Sequence, residues 1–129
     1  MYLVVTRSFP PEIGGMQNLM WGLTNELSKN YMIKVFADYY ENHKNFDEQV
    51  SFSIERVGGI KLLRKYRKAQ LINEFIKNNK VEGIIADHWK SIEHLKVDKK
   101  KICLIHGKEL NHEKGTSLNK RVLEVLNNV

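Results

Sequence analysis

The chain has 129 residues, 42% of them hydrophobic and 28% charged, with a net charge of +6. This length suits one domain with a single core, and the composition excludes an intrinsically disordered chain. No apolar run approaches the roughly 18 residues of a membrane span. The opening MYLVV lacks the basic lead and cleavage pattern of a secretory signal, and the lone Cys103 excludes an internal disulfide and fits a reducing cytoplasm. The charge is lopsided: residues 1–57 carry 5 basic and 7 acidic side chains, residues 58–129 carry 16 and 8. Such asymmetry points to an anionic partner, whether membrane surface, phosphorylated ligand or nucleic acid.

Residues 2–6, YLVVT, read as a short buried strand. Met16, Leu19, Met20, Leu23 and Leu27 then recur on one face of a helix that ends near Lys29 and Asn30. A second strand follows at 31–37. Residues 38–50 show neither period and read as a polar loop, and 51–57 alternates as a strand that Gly58 and Gly59 close. The next helix runs from about Leu62 to Asn79, with Leu62, Tyr66, Ala69, Ile72 and Ile76 facing inward. Strands at 81–86 and 101–106 flank a short helix near 91–96, and Cys103 reads as a small buried hydrophobe in the second of them. Ser117 can cap a last helix with the stripe Leu118, Val122, Val125, Leu126 and Val129. Strands alternating with helices predict an α/β, Rossmann-like three-layer domain: five parallel strands in the order 3-2-1-4-5 with helices on both faces.

Between the first strand and first helix stands SFPPEIGG, residues 8–15. In a doubly wound sheet that junction lies at the carboxyl ends of the strands, where strand order reverses and ligands bind. Gly14 and Gly15 lack Cβ atoms and let backbone N–H groups approach a ligand, while the helix start favours phosphate. A glycine pair there is also an ordinary turn. No G-x-G-x-x-G or P-loop pattern occurs, so dinucleotide and P-loop sites lack their fingerprints. Thr6-Arg7-Ser8 has no acidic cluster, which argues against a phospho-acceptor receiver domain.

Pro10-Pro11-Glu12-Ile13-Gly14-Gly15, the basic helix at 61–79, the strand leading to ADHW (86–89) and the strand ending IHGKE (105–109) stand in one order. Together they resemble the N-terminal domain of glycosyltransferase family 4 enzymes, and the resemblance spans nearly the whole chain. It implies half of a GT-B fold, with a C-terminal nucleotide-sugar domain outside this chain. It also implies retaining, metal-independent sugar transfer from a nucleotide-sugar to a glycan or lipid-linked acceptor, with no cofactor. By the same resemblance, Gly14 and Gly15 would lie beside the donor diphosphate. His106 would stand near the donor sugar and reaction centre as the catalytic candidate. Arg7, Glu12, Trp89, Lys108 and Glu109 are the acceptor-side candidates. Trp89 reads equally as a sugar-stacking wall or a core aromatic.

Three other patterns compete. The histidines at 43, 88, 94, 106 and 112 lack metal-ligand spacing. Glu74 and Glu82 match the family's donor-domain E-x7-E spacing, but they straddle a helix end and a strand start, so chance explains them better. KLLRKYRK places Lys61, Arg64, Lys65 and Lys68 within about 100° on a helix, either a solvated face or a contact with an anionic membrane at the inner face. No aromatic-interleaved platform or recognition helix points to nucleic acid. A non-catalytic Rossmann-like module that binds a phosphorylated ligand or a protein is the rival reading.

Overall fold

The computed structural model describes residues 1–107 and 111–129. Five strands form one parallel sheet: β1 (Tyr2–Val5), β2 (Ile33–Asp38), β3 (Ser53–Val57), β4 (Gly83–Ala86) and β5 (Lys100–Cys103). Their order is β3-β2-β1-β4-β5, as the sequence predicts. Val4 sits between Val35 and Ile85 in register, at the centre of the sheet. Such central strands are buried on both faces and read as continuous apolar runs rather than alternating ones.

The helices are α1 (Gly15–Ser28), α2 (Lys44–Asp47), α3 (Lys61–Asn78), α4 (Trp89–Ile92) and α5 (Ser117–Leu126). On one face, Val4, Val35, Ala37 and Ile85 pack with Met20 of α1, Phe9 and Phe52, and Phe46 of α2 leans against them. On the other, Leu3, Val5, Phe36, Ile84 and Ala86 pack with Ile72 of α3 and Ile92 of α4, joined by Val125 of α5. Strand side chains alternate across the sheet, so Leu3 and Val4 serve opposite cores.

Several boundaries differ from the sequence expectation. Tyr31 and Met32 precede β2 and are exposed. The supposed loop at 38–50 contains the single turn α2. The short helix begins earlier than expected, because His88 caps it by accepting from Lys90 N. Thr116, not Ser117, caps α5 through Asn119 N. Strand β5 stops at Cys103, which is only half-buried because β5 is an edge strand. In α1, Leu19 is half exposed and Gln17, Met20 and Thr24 are buried. In α5 only Val122 is fully buried, and Val129 is exposed.

The largest correction is in α3. Leu62 and Tyr66 are 80% and 50% exposed, whereas Lys68, Ala69 and Ile72 turn inward. Ala69 and Ile72 lie inward as the apolar period predicts and Ile76 packs against the same core, so the period fails only toward the helix start, where a charged side chain takes a core position. Lys68 reaches Thr6 O at 2.6 Å and also bonds Asp38 Oδ1.

Candidate functional site

The carboxyl edge of the sheet is joined by a run of polar contacts. Asp87 follows β4 and is 2% exposed. Its Oδ2 accepts from Arg7 N at 2.9 Å and lies 2.8 Å from Thr6 Oγ1; its Oδ1 accepts from Ser91 Oγ at 2.6 Å. One carboxylate therefore ties the end of β1 to α4. A buried charge is tolerable only with such hydrogen-bond partners. Beyond β1, Lys68 bridges Thr6 O to Asp38 at the end of β2, and Arg64 adds a contact to Asp38 at 3.4 Å. Burial pushes the Lys68 ammonium below its ordinary range, and the charge of Asp38 restores only part of that shift.

The proline loop is pinned from both sides. Phe9 is 1% exposed and meets Phe46 and Phe52 edge-to-face. Arg56 of β3, its side chain 4% exposed, donates through Nη2 to Pro10 O and pairs with Asp47. The Pro10–Pro11 peptide bond is cis. The contacts of Phe9 and Arg56 make the segment's start a fixed surface rather than a slack linker.

A cavity of about 520 Å³ opens at this edge. Arg7 and Ser8 after β1, Met16 in the first turn of α1, residues 87–90 after β4, His106 after β5, and His112 and Leu118 line it. It occupies the switch point between β1 and β4, where open α/β sheets bind ligands. A larger cleft of about 770 Å³, lined by residues 92–99 and α5, lies before β5 and away from that edge. His106 Nε2 donates to the backbone carbonyl Asp87 O at 3.0 Å, which fixes that ring against the main chain just after β4. Gly107 follows with φ +88°, a left-handed conformation that side chains rarely adopt.

Three of the residues singled out in the sequence, Arg7, Trp89 and His106, meet in this cavity. Trp89 is 2% exposed and lies against Lys90 and Arg121, so it is a core aromatic with an edge in the wall rather than an open stacking platform. Glu12, Gly14 and Gly15 are not in the wall. A Cβ on Gly14 would lie 2.3 Å from Gln17 Oε1, so its lack of a side chain serves the fold, whereas a Cβ on Gly15 would meet nothing. Lys108 and Glu109 lie outside the described residues.

The proposed membrane face is also revised. Lys68 is buried, and Arg64 is turned to Asp38 and Gly59 O. Lys65 lies 3.5 Å from Glu93. The exposed face of the first turns of α3 instead joins Ile60, Leu62, Leu63 and Tyr66 to Lys61 and Arg67.

Sequence reasoning missed Asp87, Lys90 and the role of Lys68. Asp87 had a legible signal, an acidic residue directly after an apolar strand at the switch point. Lys68 had none, since it sat inside a basic run. Neither a scan against protein-family models nor a search of curated proteins finds a match to this chain, so its functional reading rests on its residues and geometry.

Proposed function

We propose that this chain is the acceptor-side half of a retaining glycosyltransferase of the GT-B kind, working with a separate nucleotide-sugar domain. The observation that supports this most is the switch-point cavity, where Arg7, the first turn of α1 and His106 converge. In that role Gly15 lets the donor diphosphate approach the unpaired N–H groups at the start of α1, which stabilise charge on the leaving group. His106, held by Asp87 O, hydrogen-bonds the sugar at the reaction centre. The protein's own residues orient and bind; no metal is required for these contacts.

The test is sugar transfer by the chain together with its donor domain, comparing wild type with His106→Ala. The variant should lose about 10²–10³-fold in kcat, typical of one transition-state contact. Its fold should survive, because His106 is exposed beyond the end of β5. Activity within about twofold of wild type removes His106 from the mechanism. Phosphate-ligand binding with no transfer of any sugar favours the non-catalytic module.

Contact with an anionic membrane is part of the same proposal, now carried by the exposed apolar residues of α3 and its neighbouring cations. Lys61→Gln with Arg67→Gln should reduce co-sedimentation with anionic vesicles, and Leu62→Ser with Leu63→Ser should reduce it further. A wild-type chain that ignores such vesicles at low salt overturns this part.

A further inference from the structure

The charged residues around the switch-point cavity are spent very unequally. Elsewhere, cations of differing exposure have acidic partners: Lys34 with Glu55 at 2.9 Å, the buried side chain of Arg56 with Asp47 at 2.6 Å, and the exposed Arg121 with Glu93 at 2.6 Å. Arg7 and Lys90 line the cavity, and among the described residues neither forms an ion pair. Among the described residues the only acidic side chain in the wall is Asp87, and both its oxygens are directed to Thr6, Arg7 N and Ser91. It therefore offers a ligand little to bond. The histidines His88, His106 and His112 complete the polar rim. Opposite this polar rim, Met16, Trp89 and Leu118 give the same cavity an apolar side.

We infer that the cavity binds a phosphomonoester carried on a sugar-sized body, and that Arg7 and Lys90 hold the phosphate. A guanidinium matches phosphate through two parallel N–H···O bonds, and an ammonium adds a compact charge. The apolar wall suits the C–H face of a sugar ring, and the volume falls within the usual range for small-molecule sites, about 300–1,000 Å³. Among the described residues, a dianion here meets Arg7 and Lys90, the latter over the Trp89 ring but without an acidic partner, and no exposed carboxylate. A neutral sugar would bring neither cation an anionic partner. The inference rests on the proposed function only in calling this ligand the acceptor; the anion preference stands on the cavity itself.

The test is NMR titration of the ¹⁵N-labelled chain with inorganic phosphate, glucose 6-phosphate, glucose, UDP and a short-chain phosphatidate. Glucose 6-phosphate should shift the amide signals of Arg7, Ser8, His88, Lys90 and His106, with inorganic phosphate weaker and glucose silent. Arg7→Gln and Lys90→Gln should each weaken binding at least tenfold while the rest of the spectrum keeps its dispersion. Phosphatidate shifting the same signals also supports the site and identifies a lipid headgroup as the source of the phosphate. Three results overturn the inference: glucose binding as tightly as its phosphate, shifts that map away from the cavity, or binding of UDP alone. Failure of the glycosyltransferase reading looks different, namely phosphate binding at these residues with no sugar transferred to any phosphorylated acceptor.

Discussion

At the scale of single residues, the two glycines ahead of α1 do different work, and substitution separates them. Gly15→Ala meets no atom within 4 Å and begins a helix, so it should stabilise the chain by about 0.5–1 kcal/mol in urea denaturation. If a ligand phosphate approaches there, the same change should lower transfer activity, so a variant that is more stable and fully active removes Gly15 from the site. Gly14→Ala instead displaces the buried Gln17 side chain and should be destabilising. Asp87→Ala strands the Thr6, Arg7 and Ser91 donors and should cost about 3 kcal/mol or more. An unchanged denaturation midpoint would show that this carboxylate does not join β1 to α4. Lys68 makes a subtler case. Its folded-state ammonium is more acidic than the unfolded one, so the unfolded chain binds more protons between the folded value and 10.5. Stability relative to Lys68→Met should therefore rise with pH through that window. A difference between the two proteins that is constant from pH 8 to 10 contradicts it.

At the scale of elements, α3, α4 and α5 meet on Glu93, which takes Arg121 Nε at 2.7 Å and lies within 3.5 Å of Lys65 and 3.4 Å of His94. Burial pushes the Glu93 carboxyl up, but its hydrogen bond from Arg121 and the charges of Arg121, Lys65 and His94 outweigh that and hold it below its ordinary range. Burial likewise lowers His94 below 6.5, against the pull of Glu93. Both shifts have one consequence: as pH falls, the unfolded chain protonates first, so stability drops through the His94 window and again through the Glu93 window. Thermal unfolding from pH 7 to pH 4 should show this decline. Glu93→Gln should be less stable at pH 7 and should flatten the lower part. Equal slopes in both proteins contradict the assignment. The contrast also explains what the sequence could convey. Strand positions and order were readable because Leu3, Val4, Val35 and Ile84 are apolar on both faces of a parallel sheet. Helix orientation was less readable: Lys68 and Thr24 occupy inward positions because specific acceptors satisfy them, Thr6 O beyond β1 for Lys68 and Met20 O one turn back in α1 for Thr24. Of the site, Arg7 and His106 were visible at strand ends. The commitment of Asp87 was hidden, because its partners lie 80 residues away or across a helix turn.

At the scale of the whole molecule, two cores closed against one sheet predict an independently stable fold. Catalysis is another matter: transfer needs donor and acceptor held in a dry, oriented cleft, and on the proposed reading this chain supplies one wall of it. The isolated 129 residues should therefore bind nucleotide-sugars weakly, with Kd roughly in the high micromolar range or worse, and transfer no sugar. Calorimetric titration and a transfer assay with and without a donor domain check this. Robust transfer by the chain alone overturns the two-domain reading.

The hold of Arg56 on Pro10 O gives the loop beside the cavity an anchor on the far edge strand. A laboratory selection for altered ligand preference should therefore collect changes at Arg56, Asp47, Phe46 and Phe52 as well as around the cavity. Substitutions there can re-aim the loop without placing a new atom against the ligand. Mutant libraries confined to the cavity wall would leave these positions unsampled.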